Sequence, residues 1–154
     1  MRRKYDTERF YACCESLRRA FPACSLTADL ICGFPGETEE DFKKTLAFLE
    51  RCGFFFVHAF PYSARPGTRA AVMPDQLPKA EKEERVRRAG EVIRRMQGEY
   101  LAACVGKTLP VLFERPREGH ADNYCVVATE AAYPRGTVQN IQIITAEDDG
   151  LLGI

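Results

Sequence analysis

Residues 25–63 read SLTADLICGFPGETEEDFKKTLAFLERCGFFFVHAFPYS, and this stretch decides the fold class. Its apolar ends predict buried strands at 25–32 and 54–60. The segment between them has helical spacing, with Thr38 as N-cap and Gly53 just past the end. Strand, helix and strand in this order predict a parallel α/β sheet with a right-handed crossover.

The sequence on either side extends this pattern into two domains. Helices are predicted at 7–21 and 78–104, and strands at 108–114, 123–129 and 137–145, followed by a final LLGI. Two parallel strands cannot close a sheet, because each needs neighbours on both edges. We therefore expect 1–106 to be part of a larger α/β domain and 107–154 to be a small all-β barrel or sandwich.

Composition excludes several classes of protein. The 154 residues are 45% hydrophobic and 29% charged, which is typical of a globular chain. With 22 Lys and Arg against 22 Asp and Glu, the chain is not a strongly basic nucleic-acid binder. The longest apolar runs are far below the roughly 20 residues of a membrane helix, and the charged N-terminus is not followed by an apolar segment as in a secretory signal. We expect a cytoplasmic protein that does not contact membranes.

The seven cysteines do not form a recognisable ligand set. No two of them make a CxxC pair, and His58 and His120 are far apart in the sequence. We therefore predict no metal site, and we expect most of these thiols to be small core residues.

Two loops follow the predicted strands at the same end of the sheet, where ligands of α/β proteins collect. GFPGET at 33–38 places glycines next to a helix N-terminus, which suits an anion. PYSARPGT at 61–68 adds Arg65. Residue types alone leave three alternatives open: a tight turn before a capped helix, a solvated loop, and a stand-alone phosphate-binding module. His58 lies inside its strand among apolar residues, where a buried neutral imidazole is more common than a catalytic one.

Taken together, LTADLICGFPGETEEDF, FFFVHAFPYSARPGTRAAVMPDQLP, KEER and VGKTLPVLFE resemble the radical S-adenosylmethionine tRNA methylthiotransferases. The resemblance covers the whole chain. VHAFPYSARPGT and the ending with GHADNY and GLLGI are most similar to the branch that acts on N6-threonylcarbamoyladenosine, and the branches that act on isopentenyladenosine and on a ribosomal protein are the alternatives. It implies insertion of a methylthio group at C2 of the adenosine next to the anticodon. It also implies a partial (β/α) barrel followed by an RNA-binding TRAM domain, with S-adenosylmethionine and [4Fe–4S] clusters as cofactors and tRNA as partner.

The sequence departs from this family at the cysteine motif that holds the iron–sulfur cluster. The family's barrel cluster is held by CxxxCxxC, and this chain contains no such motif. We therefore expect the chain to be the C-terminal portion, inactive alone, with the cluster-bearing half supplied in cis or as a separate chain. The alternative is an inactive remnant that binds RNA or a partner.

The resemblance also implies cofactor-binding residues. Ile31 and Gly33 match the family's adenine-contacting motif, while Glu37 lies one residue after the position of its acid, so a plain helix-start carboxylate is an equal alternative. The predicted set is Ile31, Gly33, Phe34, Pro35, Gly36, Glu37, His58, Tyr62 and Arg65.

RNA binding requires positive charge, because RNA affinity comes largely from neutralised phosphates. Residues 107–154 contain only four Lys or Arg against seven Asp or Glu, so local clustering is needed. The predicted set is Lys107, Arg115, Arg117 and Arg135, with Tyr124 for stacking. Arginines at 85–95 are a further candidate, with a solvated face balanced by glutamates as the alternative.

Overall fold

The computed structural model describes residues 4–154, so the first three residues of the chain that the resemblance covers lie outside the described part. The chain forms two compact units. One comprises Leu26–Met96, and the other comprises the described residues up to Ser25 together with Gln97–Ile154. No helix among residues 4–154 is both long and apolar enough to cross a membrane.

The first unit contains the predicted parallel pair. Strand β1 (Thr27–Cys32) and strand β2 (Phe56–Pro61) run parallel and are joined through helix α2 (Glu39–Cys52). The capping box is confirmed: the Asp41 amide donates to Thr38 Oγ1 at 3.1 Å, and the Thr38 amide donates to Asp41 Oδ2 at 3.2 Å. Order and pairing are therefore as the sequence predicts.

The two faces of this sheet differ in burial. Cys32 and Val57 are buried on one face, whereas Asp29, His58 and Phe60 are exposed on the other. Within the described chain, β1 and β2 pair only with each other, so one edge of each strand has no neighbouring strand. The α/β class is confirmed, while membership of a larger barrel stays a prediction.

The long helix predicted at 78–104 is α3 (Lys79–Ala102), and the helix predicted at 7–21 is α1 (Thr7–Ala20). A short 3₁₀ turn, Arg69–Val72, lies in the loop after β2. Helix α1 and the last turns of α3 group with the β strands that follow. The predicted boundary after residue 106 stays a prediction.

The remaining strands form a closed barrel with the order β3-β4-β5-β7-β6. Their bounds are Thr108–Arg115 for β3, Glu118–Ala121 for β4, Val126–Thr129 for β5, Val138–Ala146 for β6 and Leu151–Gly153 for β7. Alternating side chains fill the interior, among them Val111, Phe113 and Ile141, each at most 1% exposed. The final LLGI closes the barrel, because β7 pairs with both β5 and β6.

Strand β4 was not predicted, since RPREGHAD reads as a turn. Only four residues long, β4 needs Gly119 because a Cβ there would lie 2.3 Å from the Leu112 carbonyl oxygen on β3. In the sequence, Gly119 indicates a turn. In the structure, Gly119 allows strands β3 and β4 to approach each other closely.

Candidate cofactor and RNA-binding sites

The carboxyl end of β1 is organised around Glu37. Gly33, at φ 73°, donates its amide to Glu37 Oε2 at 2.8 Å. Arg85 from α3 donates to the same oxygen at 2.6 Å and to the Glu37 carbonyl at 2.9 Å. The second guanidinium nitrogen donates to Glu81 at 2.6 Å. Glu37 is therefore held by protein groups at the start of α2.

Lys82 covers the same strand end. Its Cγ lies 2.3 Å from where a Cβ on Gly33 would be, so the space that the glycine leaves is filled by this side chain. Its Nζ donates to the Tyr62 carbonyl at 3.2 Å and lies 5.5 Å from the centre of the Tyr62 ring. The Tyr62 ring in turn meets Phe34 edge-on at 5.3 Å. The Tyr62 hydroxyl is buried and has no hydrogen-bond partner among residues 4–154.

The predicted cofactor residues therefore fall into separate places. Ile31 and His58 lie on the exposed sheet face with Phe60, since Ile31 pairs with Phe60 and His58 with Asp29. The His58 ring is not buried but exposed, and it meets Phe56 edge-on at 4.8 Å.

The strand-end cluster contains the others that the structure brings together: Gly33, Phe34, Glu37 and Tyr62. Pro35 is buried, and Gly36 is exposed with its amide bonded to the Asp75 carbonyl at 3.1 Å. Arg65 is exposed in its loop, where its carbonyl accepts bonds from Thr68.

The sequence pattern did not single out Lys82 or Arg85 as part of this site. Arg85 is 3% exposed and lies 48 residues from Glu37 in the chain. The only local signal was the spacing of Glu81 and Arg85, which also suits an ordinary surface pair.

The exposed sheet face and the strand end differ in the surface that they leave free. Ile31, His58 and Phe60 form a partly apolar, aromatic surface on the sheet face. The Gly33 amide is already bonded to Glu37, and Lys82 occupies the space beside its α-carbon.

A [4Fe–4S] cluster does not fit the residues present. The sequence has no CxxxCxxC, and residues 4–154 contain no group of three His, Cys, Asp or Glu placed to hold a metal ion. Ligation needs thiolates. Burial and the neighbouring Glu37 carboxylate raise the pKa of Cys32 to about 11, and burial raises the pKa of Cys125 to about 12. These thiols are core groups.

Three predicted RNA-binding residues lie in neighbouring segments at one end of the barrel, and we call Arg115, Arg117 and Arg135 the arginine cluster. The turn after β3 is bonded there to the end of β5, from the Thr129 amide to the Arg117 carbonyl at 3.0 Å, and to the loop before β6, from the Tyr133 amide to the Pro116 carbonyl at 2.6 Å. All three side chains are exposed, and Arg115 also pairs with Glu118 at 2.8 Å.

The other two members lie elsewhere on the barrel. Lys107 is at the opposite end of β3, where its carbonyl accepts the Ile143 amide at 2.8 Å. Tyr124 is in the turn between β4 and β5, with its ring 77% exposed.

The arginines of α3 are largely engaged by carboxylates. Arg85 bonds Glu37 and Glu81, Arg87 bonds Glu84 and Glu91, Arg88 bonds Glu39, and Arg95 bonds Glu50. Hydrogen bonds from Arg88 and Arg87 lower the pKa of Glu39 and Glu84, respectively. This arrangement matches the alternative of a face balanced by glutamates.

Comparison with known proteins assigns the family. No protein-family model matches the chain. It is 34% identical over 99% of its length to the tRNA-2-methylthio-N(6)-dimethylallyladenosine synthase of Wolbachia pipientis subsp. Culex pipiens, covering 37% of that protein. Proteins of the same name are 47% identical over 73% of this chain in Mycolicibacterium smegmatis and 44% identical over 80% in Thermobifida fusca. The chain belongs to the radical S-adenosylmethionine tRNA methylthiotransferase family. It spans little more than a third of the length of the Wolbachia methylthiotransferase, and 22% and 25% of the other two.

The names of these methylthiotransferases bear on the predicted branch. All three refer to an N6-dimethylallyladenosine product in tRNA. They support the methylthiotransferase prediction but not the threonylcarbamoyl substrate that the sequence motifs favoured.

Proposed function

We propose that this chain is the C-terminal, tRNA-binding portion of a methylthiotransferase that modifies C2 of an N6-substituted adenosine next to the anticodon. The family relationship is the observation that carries the proposal. The relatives' names favour a dimethylallyl substituent over threonylcarbamoyl. S-adenosylmethionine and [4Fe–4S] clusters would supply the radical chemistry in the whole enzyme.

The chain's own proposed contribution to the cofactor lies in the parallel sheet and in the loop after β2. Ile31 and His58 would line the adenine side from the exposed sheet face, and Tyr62 and Arg65 lie in the chain that follows β2. The cluster ligands come from a different part of the enzyme, in cis or as a separate chain, because the cysteines here do not form the motif.

We expect anaerobic treatment with iron and sulfide to leave this chain without a stoichiometric cluster and without S-adenosylmethionine cleavage. The physical reason is that cluster assembly needs closely spaced thiolates, whereas Cys32 and Cys125 are buried with raised pKa values. Iron and sulfide content and the absorption spectrum measure the outcome, with a known [4Fe–4S] protein treated in parallel. One cluster per chain with cofactor cleavage would contradict the proposal.

The arginine cluster is the proposed phosphate-binding surface. We expect Arg115→Gln/Arg117→Gln/Arg135→Gln to weaken tRNA binding about tenfold to hundredfold at 50 mM salt, and to reduce the slope of log affinity against log salt by about 2. Fluorescence anisotropy over a salt series measures both quantities.

A matched control removes the same charge elsewhere, in Arg87→Gln/Arg94→Gln/Arg95→Gln on α3. Since Arg87 and Arg95 are paired with glutamates, we expect a much smaller change in the salt slope. If both triple variants lose the same affinity for tRNA, the arginine cluster is not a specific phosphate-binding surface. Wild-type binding that is absent at low salt would refute tRNA binding itself.

The alternative function is an inactive RNA-binding or partner-binding remnant, which the lack of a cluster motif favours. DNA sequence upstream of the Met1 codon distinguishes the two. A CxxxCxxC in frame or in a neighbouring gene supports the enzyme, and the second case is tested by mixing the two chains. The absence of such a motif supports the remnant.

A further inference from the structure

We propose that a groove on the outer face of the barrel binds one unpaired RNA base, stacked on the Tyr124 ring over Leu112 and Val138. This proposal rests on the proposed tRNA binding and names the site that binds an unpaired base of that tRNA. The groove has a volume of about 480 Å³, within the roughly 300–1,000 Å³ that is typical of small-molecule sites.

The floor of this base groove is apolar where a barrel exterior is ordinarily polar. Leu112 on β3 and Val138 on β6 are directly paired across the strands and are 43% and 59% exposed. Alternation along each strand points them outward, since Val111 and Phe113 fill the interior. Two adjacent exposed aliphatic side chains provide a flat surface for an aromatic ligand.

Tyr124 is displayed from a fixed backbone. It has φ 62°, a left-handed conformation that is uncommon for an aromatic residue. Its amide donates to the Ala121 carbonyl at 2.9 Å, and the buried side chain of Asn123 accepts the Cys125 amide at 3.2 Å. Both neighbours are anchored in the core, at 4% and 1% exposure, while the Tyr124 ring is 77% exposed. Because the backbone around Tyr124 is already ordered, a ligand can stack on the ring with little further loss of backbone entropy.

The charges around the base groove favour a base over a phosphate. Glu114 and Asp122 line it, and His120 Nδ1 lies 2.6 Å from Glu114 Oε2. Carboxylates repel a phosphate but accept hydrogen bonds from the exocyclic amines of adenine, cytosine or guanine. The arginine cluster begins at Arg115, the residue after Glu114, and provides positive charge for the backbone of the same strand.

The test measures binding of the chain to fluorescein-labelled single-stranded octa-adenylate and to tRNA. We expect Tyr124→Ala to weaken octa-adenylate binding about 5- to 150-fold, the range for loss of one stacked base, with the salt slope unchanged. Tyr124→Phe keeps the stacking ring and should bind like wild type. Tyr124→Asn removes the ring but tolerates the left-handed backbone, so the same loss there excludes a folding effect.

The outcomes separate this proposal from the proposed function. If wild type binds tRNA through the arginine cluster but Tyr124→Asn binds octa-adenylate normally, the base groove is refuted and tRNA binding stands. A loss that comes with a reduced salt slope also refutes it, because the lost contact would be to phosphate. If wild type binds neither RNA, both proposals fail.

Discussion

Replacing Arg85 by Met should destabilise the sheet unit by about 3–5 kcal/mol, the usual cost of removing one partner from a buried ion pair. Arg85 is 3% exposed and bonds both Glu37 and Glu81. Its loss removes the ion-pair partner of the Glu37 carboxylate, whose side chain is 13% exposed, and leaves the hydrogen bond from the Gly33 amide. Urea unfolding followed by circular dichroism measures the free energy of unfolding.

Arg87→Met is the matched control on the same helix. Arg87 also bonds two glutamates, but its side chain is 57% exposed, so we expect no measurable change in the unfolding midpoint. The double variant Glu37→Gln/Arg85→Met should recover part of the loss, since no unpaired buried charge remains. If Arg85→Met and Arg87→Met unfold at the same urea concentration, the buried ion pair between Arg85 and Glu37 does not stabilise this unit.

Phe113→Ala should destabilise the barrel by about 3–5 kcal/mol, as large-to-small changes of buried aromatic residues do. The Phe113 side chain is fully buried, and its ring meets Tyr133 at 4.5 Å. Tyr133 belongs to the loop that carries Arg135, so this loop loses a ring contact as well. Amide hydrogen exchange along β3 and β6 reports the opening of the barrel directly.

Phe21→Ala controls for the loss of an aromatic side chain in the same unit. Phe21 is 62% exposed at the end of α1, and its removal should cost less than about 0.5 kcal/mol. Equal protection of the β3 amides in wild type and Phe113→Ala would show that Phe113 is not part of the barrel's stabilising core.

Local signals were sufficient for much of the fold. The Thr38 capping box and the αL Gly53 place the ends of α2, and the apolar segments flanking it become parallel strands. The barrel residues were read correctly as short strands, except β4. There, Gly119 and charged neighbours give the same local pattern as a turn, and only the approach of Leu112 makes the segment a strand.

The candidate sites depended more on contacts distant in sequence. Arg115, Arg117 and Arg135 lie at the same end of the barrel because backbone hydrogen bonds join their two loops, and no spacing rule predicts this. The sequence predicts Tyr124 as a stacking residue. The groove beside it exists only because Leu112 on β3 pairs directly with Val138 on β6. Lys82 and Arg85 of α3 lie against Gly33 and Glu37, and neither contact follows from the local sequence.

The sequence by itself determined the family, the order of helices and strands except β4, and the absence of the CxxxCxxC motif, because these depend on residue identity and short-range spacing. Only the tertiary structure decided that Glu37 is an ion-pair partner, that His58 is exposed and that the barrel exterior has an apolar groove. The physical reason is that burial and pairing are properties of neighbours brought together from distant parts of the chain.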